Sequence, residues 1–158
     1  MFSIGNKISH PMHGAGVVTD IVERTIDNKN QSFYLASMVC GSMTVLIPCA
    51  TSEAIGVRNI ISSEEAEMLL QCIPDVPYSF NDNWSKRYRE HMEKLKSGDL
   101  VQVIGVIKSL VIRDREKSLS TGERKVLSIA KNIFISEIVL STGRTVSDVE
   151  NIIYKSIV

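Results

Sequence analysis

Three histidines, three cysteines and a single tryptophan are the residues of this chain from which chemistry would have to start. His10 and His13 flank a glycine-rich run, His-Gly-Ala-Gly-Val-Val at 13–18. No second group of carboxylates, histidines or cysteines stands at metal-ligand spacing, so the pair reads as turn or surface histidines. The run lacks both the Walker lysine and a G-x-G-x-x-G ahead of a helix, and a glycine-permitted β-turn explains it better. Cys40, Cys49 and Cys72 are odd in number and widely spaced, which suits reduced, partly buried thiols rather than a disulfide framework. One of them could in principle pair with one of the three histidines, the last being His91, as nucleophile and base, but nothing in the sequence brings them together. No catalytic residue, no metal and no cofactor is expected.

The other chemistry is cationic. Trp84-Ser85-Lys86-Arg87-Tyr88-Arg89 sets the sole tryptophan beside three cations, and Lys94, Lys96, Arg113, Arg115, Lys117, Arg124 and Lys125 extend the charge. From Trp84 to Lys131 there are twelve bases and six acids, whereas residues 1–60 hold four of each. Lysine and arginine bind phosphates with release of counterions, and an exposed aromatic can wedge against an unstacked base. The competing reading puts Trp84 in a helix core with Tyr88 and Leu95, the cations forming a solvated face. Residue types alone favour that core, because aromatic stripes at helical spacing are usually buried.

The elements that must position these residues fall into two kinds. The chain has 158 residues, 44% of them hydrophobic, with 18 Lys+Arg against 18 Asp+Glu. That suits one domain or two small ones and excludes a disordered chain or a wholesale polycation. Charges interrupt every apolar run short of a membrane span, and the N-terminus lacks a basic-then-apolar signal, so a cytosolic protein is expected. Residues 1–60 show short β-branched runs between turns at Pro11–Gly16, Asp27–Gln31 and Gly41-Ser42, the pattern of a small antiparallel barrel. Sixty residues are marginal alone, so support from the remainder is expected.

From Ser62 the pattern becomes helical. Ser62–Glu65, Ser120–Glu123 and Ser147–Glu150 each fit a capping box, and Asn81 or Asp82 is placed to cap a helix carrying Trp84. Residues 99–115 mix strand propensity with apolar residues at helical spacing, and their length decides for helix. The expected fold is therefore α+β and multidomain. A small N-terminal antiparallel β-barrel (1–60) precedes an all-α bundle of about five helices (61–158).

The order of motifs resembles the CarD/CdnL family of bacterial transcription regulators, whose N-terminal module is similar to the polymerase-interacting domain of transcription-repair coupling factor. The carriers are FSIGNKISHPMHGAGVV, MTVLIP, IGVRNI, NWSKRYREHMEKLKSGD and LVIRDREKSLSTGERKVLSIAKNIFISEI, in that order over nearly the whole chain. The resemblance implies a Tudor-like or SH3-like barrel that docks on the β subunit of RNA polymerase, largely through a strand edge. It implies a helical domain on promoter DNA at the upstream fork of the melted region, in the minor groove and largely without sequence preference. Trp84 matches the family's wedge tryptophan, Lys86, Arg87 and Arg89 the adjacent basic positions, and Arg124 a second basic patch. On the docking side the matching positions are Arg24, Leu46 and Pro48. Leu46 departs from relatives that carry arginine there, which makes any retained contact apolar or backbone-mediated.

By that resemblance the protein would be non-enzymatic and cytoplasmic, reaching the nucleoid through RNA polymerase, with no small-molecule substrate and no membrane. A different class stays open: a protein-interaction module that links polymerase to another regulator without touching DNA, for which a buried Trp84 would speak.

Overall fold

The structure, a computed structural model, describes residues 1–157. Strands β1 (Lys7–His10), β2 (Gly14–Ile26), β3 (Lys29–Met38), β4 (Thr44–Pro48) and β5 (Arg58–Asn59) form one antiparallel sheet in the order β4-β3-β2-β1-β5. A single helical turn, α1 (Ser52–Ile55), links β4 to β5. The sheet curls around Phe2, Ile8, Val18, Tyr34, Ala36, Met38, Ile47 and Val57, a small apolar interior of its own. Strands β2 and β3 meet at Asp27-Asn28, both with positive φ (53° and 63°). These are the residue types a two-residue hairpin turn of that hand selects. An irregularity between Val18 and Asp20 bends β2, and beyond it the hairpin projects outward with most of its residues exposed.

Five longer helices follow: α2 (Ser63–Cys72), α3 (Trp84–Lys96), α4 (Leu100–Glu116), α5 (Thr121–Thr142) and α6 (Val146–Ser156). The N-terminal sheet and the helical remainder agree with the α+β expectation. Helix α4 is buried without a break from Val103 to Val111, which is why its sequence shows strand-like as well as helical patterning. Ser62 and Ser120 cap α2 and α5, accepting from the amides of Glu65 and Glu123 at 3.1 and 3.2 Å. Two caps differ from expectation. Asn83, not Asn81 or Asp82, accepts from Lys86 N at 3.0 Å. For α6 the cap is Thr145, accepting from Asp148 N at 3.1 Å, because left-handed Gly143 ends α5 and the next helix restarts at once. Cys40 and Cys49 are half-buried, but Cys72 is exposed at the end of α2, off the Ala66–Leu70–Ile73 stripe.

Sheet and helices are joined along α5. Gly14, at φ 80°, lies so close that a Cβ there would be 2.5 Å from Ser136 Oγ. Ala15 N donates to that hydroxyl at 2.8 Å. The first glycine of the His13–Val18 run is thus required by backbone conformation and by packing on α5. Nearby, wholly buried Glu137 accepts from Arg58 Nη1 at 2.7 Å, Arg58 Nη2 at 3.0 Å and Ile61 N at 2.9 Å.

Candidate nucleic-acid interface

Trp84 is the first residue of α3, and 50% of it is exposed. It shares a helical stripe with Arg87, Tyr88, His91 and Leu95, but it overhangs the bundle where α5 begins. The buried members of that stripe are Arg87, His91 and Leu95. Tyr88, one turn on, is 42% exposed and stacks on the indole, centroids 5.6 Å apart and planes 10° off parallel. The aromatic pair is therefore a surface feature. The indole lies outside the apolar core, which takes in Leu95, Val126 and Ala130 from α3 and α5.

The sequence-derived basic residues divide. Lys86 and Arg89 are exposed on α3 with no ion pair among the described residues, and Arg124 is exposed on the first turn of α5 with its Nε on Leu119 O at 3.1 Å. Arg87 is different: only 3% exposed, it donates through Nε to Glu123 Oε2 at 3.0 Å and through Nη1 to Asn81 O at 2.9 Å. So engaged, the guanidinium is turned into the protein, and Arg87 ties the start of α3 to α5.

Glu123 also lies 3.5 Å from Arg113 Nε, and Phe80 is covered by both guanidinium groups, with Arg87 Cζ at 4.7 Å and Arg113 Cζ at 4.6 Å from its centroid. Such face-on cations are favoured by the ring quadrupole. This Phe80–Arg87–Arg113–Glu123 unit escaped the sequence reading. The signal was present: position 87 falls on the buried stripe, where a charge needs a partner. Beside it, burial first and then the charges of Lys94 and Arg87 hold His91 near pKa 4, against the opposing pull of Glu123 and Glu90.

A second face forms on the sheet. Register pairs Asp20 with Leu35 and Leu35 with Leu46; Val22 with Phe33 and Phe33 with Pro48; and Arg24 with Gln31. Cross-strand partners share a face, so Arg24, Leu46 and Pro48 all lie on the side opposite Tyr34 and Ile47. Leu46 is 44% exposed, on edge strand β4. Arg24 is exposed, its Nη1 on Glu23 O at 3.1 Å. Two clefts, about 840 Å³ around Pro48 and Glu53 and about 610 Å³ between α2 and α4, lie away from Trp84. Among the described residues no cluster of His, Cys, Asp and Glu could hold a metal ion, and no helix is long and apolar enough to cross a membrane.

A curled antiparallel module locked onto a helical module that ends in an aromatic pair and cations defines a two-part architecture with one exposed face on each part. The CarD-like/TRCF RID domain model matches residues 2–61, and the CarD C-terminal domain model matches residues 69–154. The chain belongs to the CarD family, transcription factors with an RNA polymerase-interacting domain. It is 28% identical over 151 residues to "Putative transcription factor YdeB" of Bacillus subtilis (strain 168), a match covering 96% of this chain and 99% of that one.

Proposed function

We propose that residues 1–60 dock on the β subunit of RNA polymerase through the Arg24–Leu46–Pro48 face and the free edge of β4. Residues 61–158 then set Trp84 against promoter DNA at the upstream edge of the bubble, stabilising the open complex. The observation that carries this reading is the half-exposed indole at the start of α3, left outside the apolar core. A Trp84 sunk in the helix core would favour a module that never meets DNA, and the indole is not sunk there.

Opening is an equilibrium between closed and melted promoter, so a factor that binds the melted form better shifts it. A preference of about 1.4 kcal/mol changes the ratio tenfold. Inserting an indole where a base step is already disrupted avoids the unstacking that intact duplex would demand. Lys86, Arg89 and Arg124 supply position on the phosphates rather than sequence readout. Arg87 contributes through the helix start it holds. Tethering to polymerase raises the effective concentration of this contact, so zero net charge is no obstacle.

The test is open-complex lifetime on a weak promoter with cognate polymerase, for wild type and Trp84→Ala. Wild type is expected to lengthen the lifetime, and the variant to lose most of the extension while binding polymerase as before. Equal lifetimes for the two proteins would sink the wedge.

A further inference from the structure

We propose that Tyr88 and Gly122 are positioning residues for Trp84: together they clamp the indole in one orientation before any nucleic acid arrives. The inference rests on the reading of Trp84 as a wedge and adds to it the residues that make the wedge stiff. An exposed side chain at a helix start has few neighbours to restrict its rotamers, and ordering it on binding lowers affinity. Here the indole has two neighbours. Tyr88 lies against its face at 5.6 Å and nearly parallel. At the Cζ2 edge of the ring is the first turn of α5, where a Cβ on Gly122 would meet Trp84 Cζ2 at 3.6 Å, already ordinary van der Waals contact.

Gly122 carries no positive φ and is simply helical. Glycine is the poorest helix former after proline, so local propensity does not explain it. A β-branched side chain would have to share the space of the indole ring. Below the pair, Arg87, His91, Glu123 and Val126 line a narrow crevice, and the Arg87–Glu123 bond fixes the two helix starts relative to each other. Neither ring of the pair belongs to the apolar core, so what the stack stabilises is the direction of the indole more than the fold.

Trp84 is the only tryptophan, so its fluorescence reports its own mobility. The experiment is time-resolved anisotropy of the free full-length protein, paired with open-complex lifetimes, for Tyr88→Ala, Tyr88→Phe and Gly122→Val. Tyr88→Ala is expected to raise the amplitude of nanosecond indole motion and to cut the lifetime extension by about three- to tenfold, the loss expected on freeing one ordered side chain. Tyr88→Phe keeps the stack and should match wild type on both counts. Gly122→Val should displace the indole and shorten the lifetime while leaving thermal stability equal or slightly higher, an outcome no purely structural role gives. Unchanged anisotropy in Tyr88→Ala overturns the clamp, whatever Trp84→Ala does. So does increased indole motion, read as lowered anisotropy, with an unshortened lifetime, provided Trp84→Ala itself shortens it. If Trp84→Ala leaves the lifetime untouched, the wedge reading falls, even where anisotropy shows that Tyr88 restrains the ring.

Discussion

On the sheet, Arg24, Leu46 and Pro48 share a face because cross-strand register lays Asp20–Leu35–Leu46, Val22–Phe33–Pro48 and Arg24–Gln31 in successive rows. At the helical end, Trp84 meets Gly122 because α3 and α5 begin close together, held by Arg87 on Glu123. The first face is a property of backbone pairing: a slip of one residue would turn every one of its side chains inward. The second is a property of individual side chains and caps rather than of a backbone ladder. A protein with one face of each kind needs a fixed angle between them. That angle is set along α5, which holds both Ser136 and Glu137 against the sheet and Glu123 beneath the aromatic pair.

The comparison breaks most sharply at Glu137. Its buried carboxylate takes both Arg58 Nη groups and the Ile61 amide, while the Arg58 side chain stays 33% exposed. Removing Glu137 leaves these donors without their shared acceptor, and because Arg58 can turn to water the cost is about 3 kcal/mol, the low end for a buried pair. Glu137→Ala is therefore expected to lower urea stability by about that much. It should also separate the unfolding of the sheet, followed by hydrogen exchange at Val18 and Tyr34, from that of the helices, followed by Trp84 fluorescence. A loss below about 1 kcal/mol with coincident transitions would mean that the two faces are held by other contacts.

Two neighbouring arginines sharpen the contrast within the helical face. Arg87→Ala removes a buried, multiply bonded guanidinium and is expected to cost about 3 kcal/mol of stability. Arg89→Ala touches nothing in the fold and should leave stability within about 0.5 kcal/mol. Their effects on the salt dependence of promoter binding should be reversed. Arg89→Ala is expected to reduce the log–log slope by about 0.9, one phosphate's worth, while Arg87→Ala, in conditions where it stays folded, leaves the slope unchanged. Equal slopes for the two variants would return Arg87 to the phosphate-contacting set.

The same pair shows what was legible beforehand. The sheet, the helices, two of the three serine caps and the exposed cations follow from local spacing, because each depends on residues a few positions apart. Arg87's burial depends on Glu123, thirty-six residues away, and Glu137 depends on Arg58 across seventy-nine. No local pattern names such partners, although a cation on a buried stripe announces that one must exist. Gly14 shows the same limit: the sequence supplied a turn, but the reason for glycine is a hydroxyl on α5. Trp84 reversed the residue-type expectation because it overhangs the end of its stripe, and where a helix starts relative to its neighbour is a tertiary fact.

The smallest effect concerns protons, and it tests whether the two parts respond as one. Burial holds His91 near pKa 4, with Lys94 and Arg87 adding to the effect. Burial and then His13 hold His10 near the same value. Both lie below the ordinary 6.5. Between about pH 6.5 and 4 the unfolded chain therefore binds more protons than the folded one, and stability falls as pH falls through that window, with no change above it. At pH 5.5 each histidine accounts for about 1 kcal/mol at most, and half-exposed His10 for less, since water screens it. In the wild type, His91→Gln and His10→Gln should each flatten the acid limb of the Trp84 fluorescence transition, because the molecule unfolds as a unit. In the Glu137→Ala background, where the parts are expected to separate, only His91→Gln should do so. If His10→Gln still moves the Trp84 transition there, the Ala15–Ser136 contact at Gly14 is enough to couple sheet and helices, and Glu137 sets the angle between the faces without making them one cooperative body.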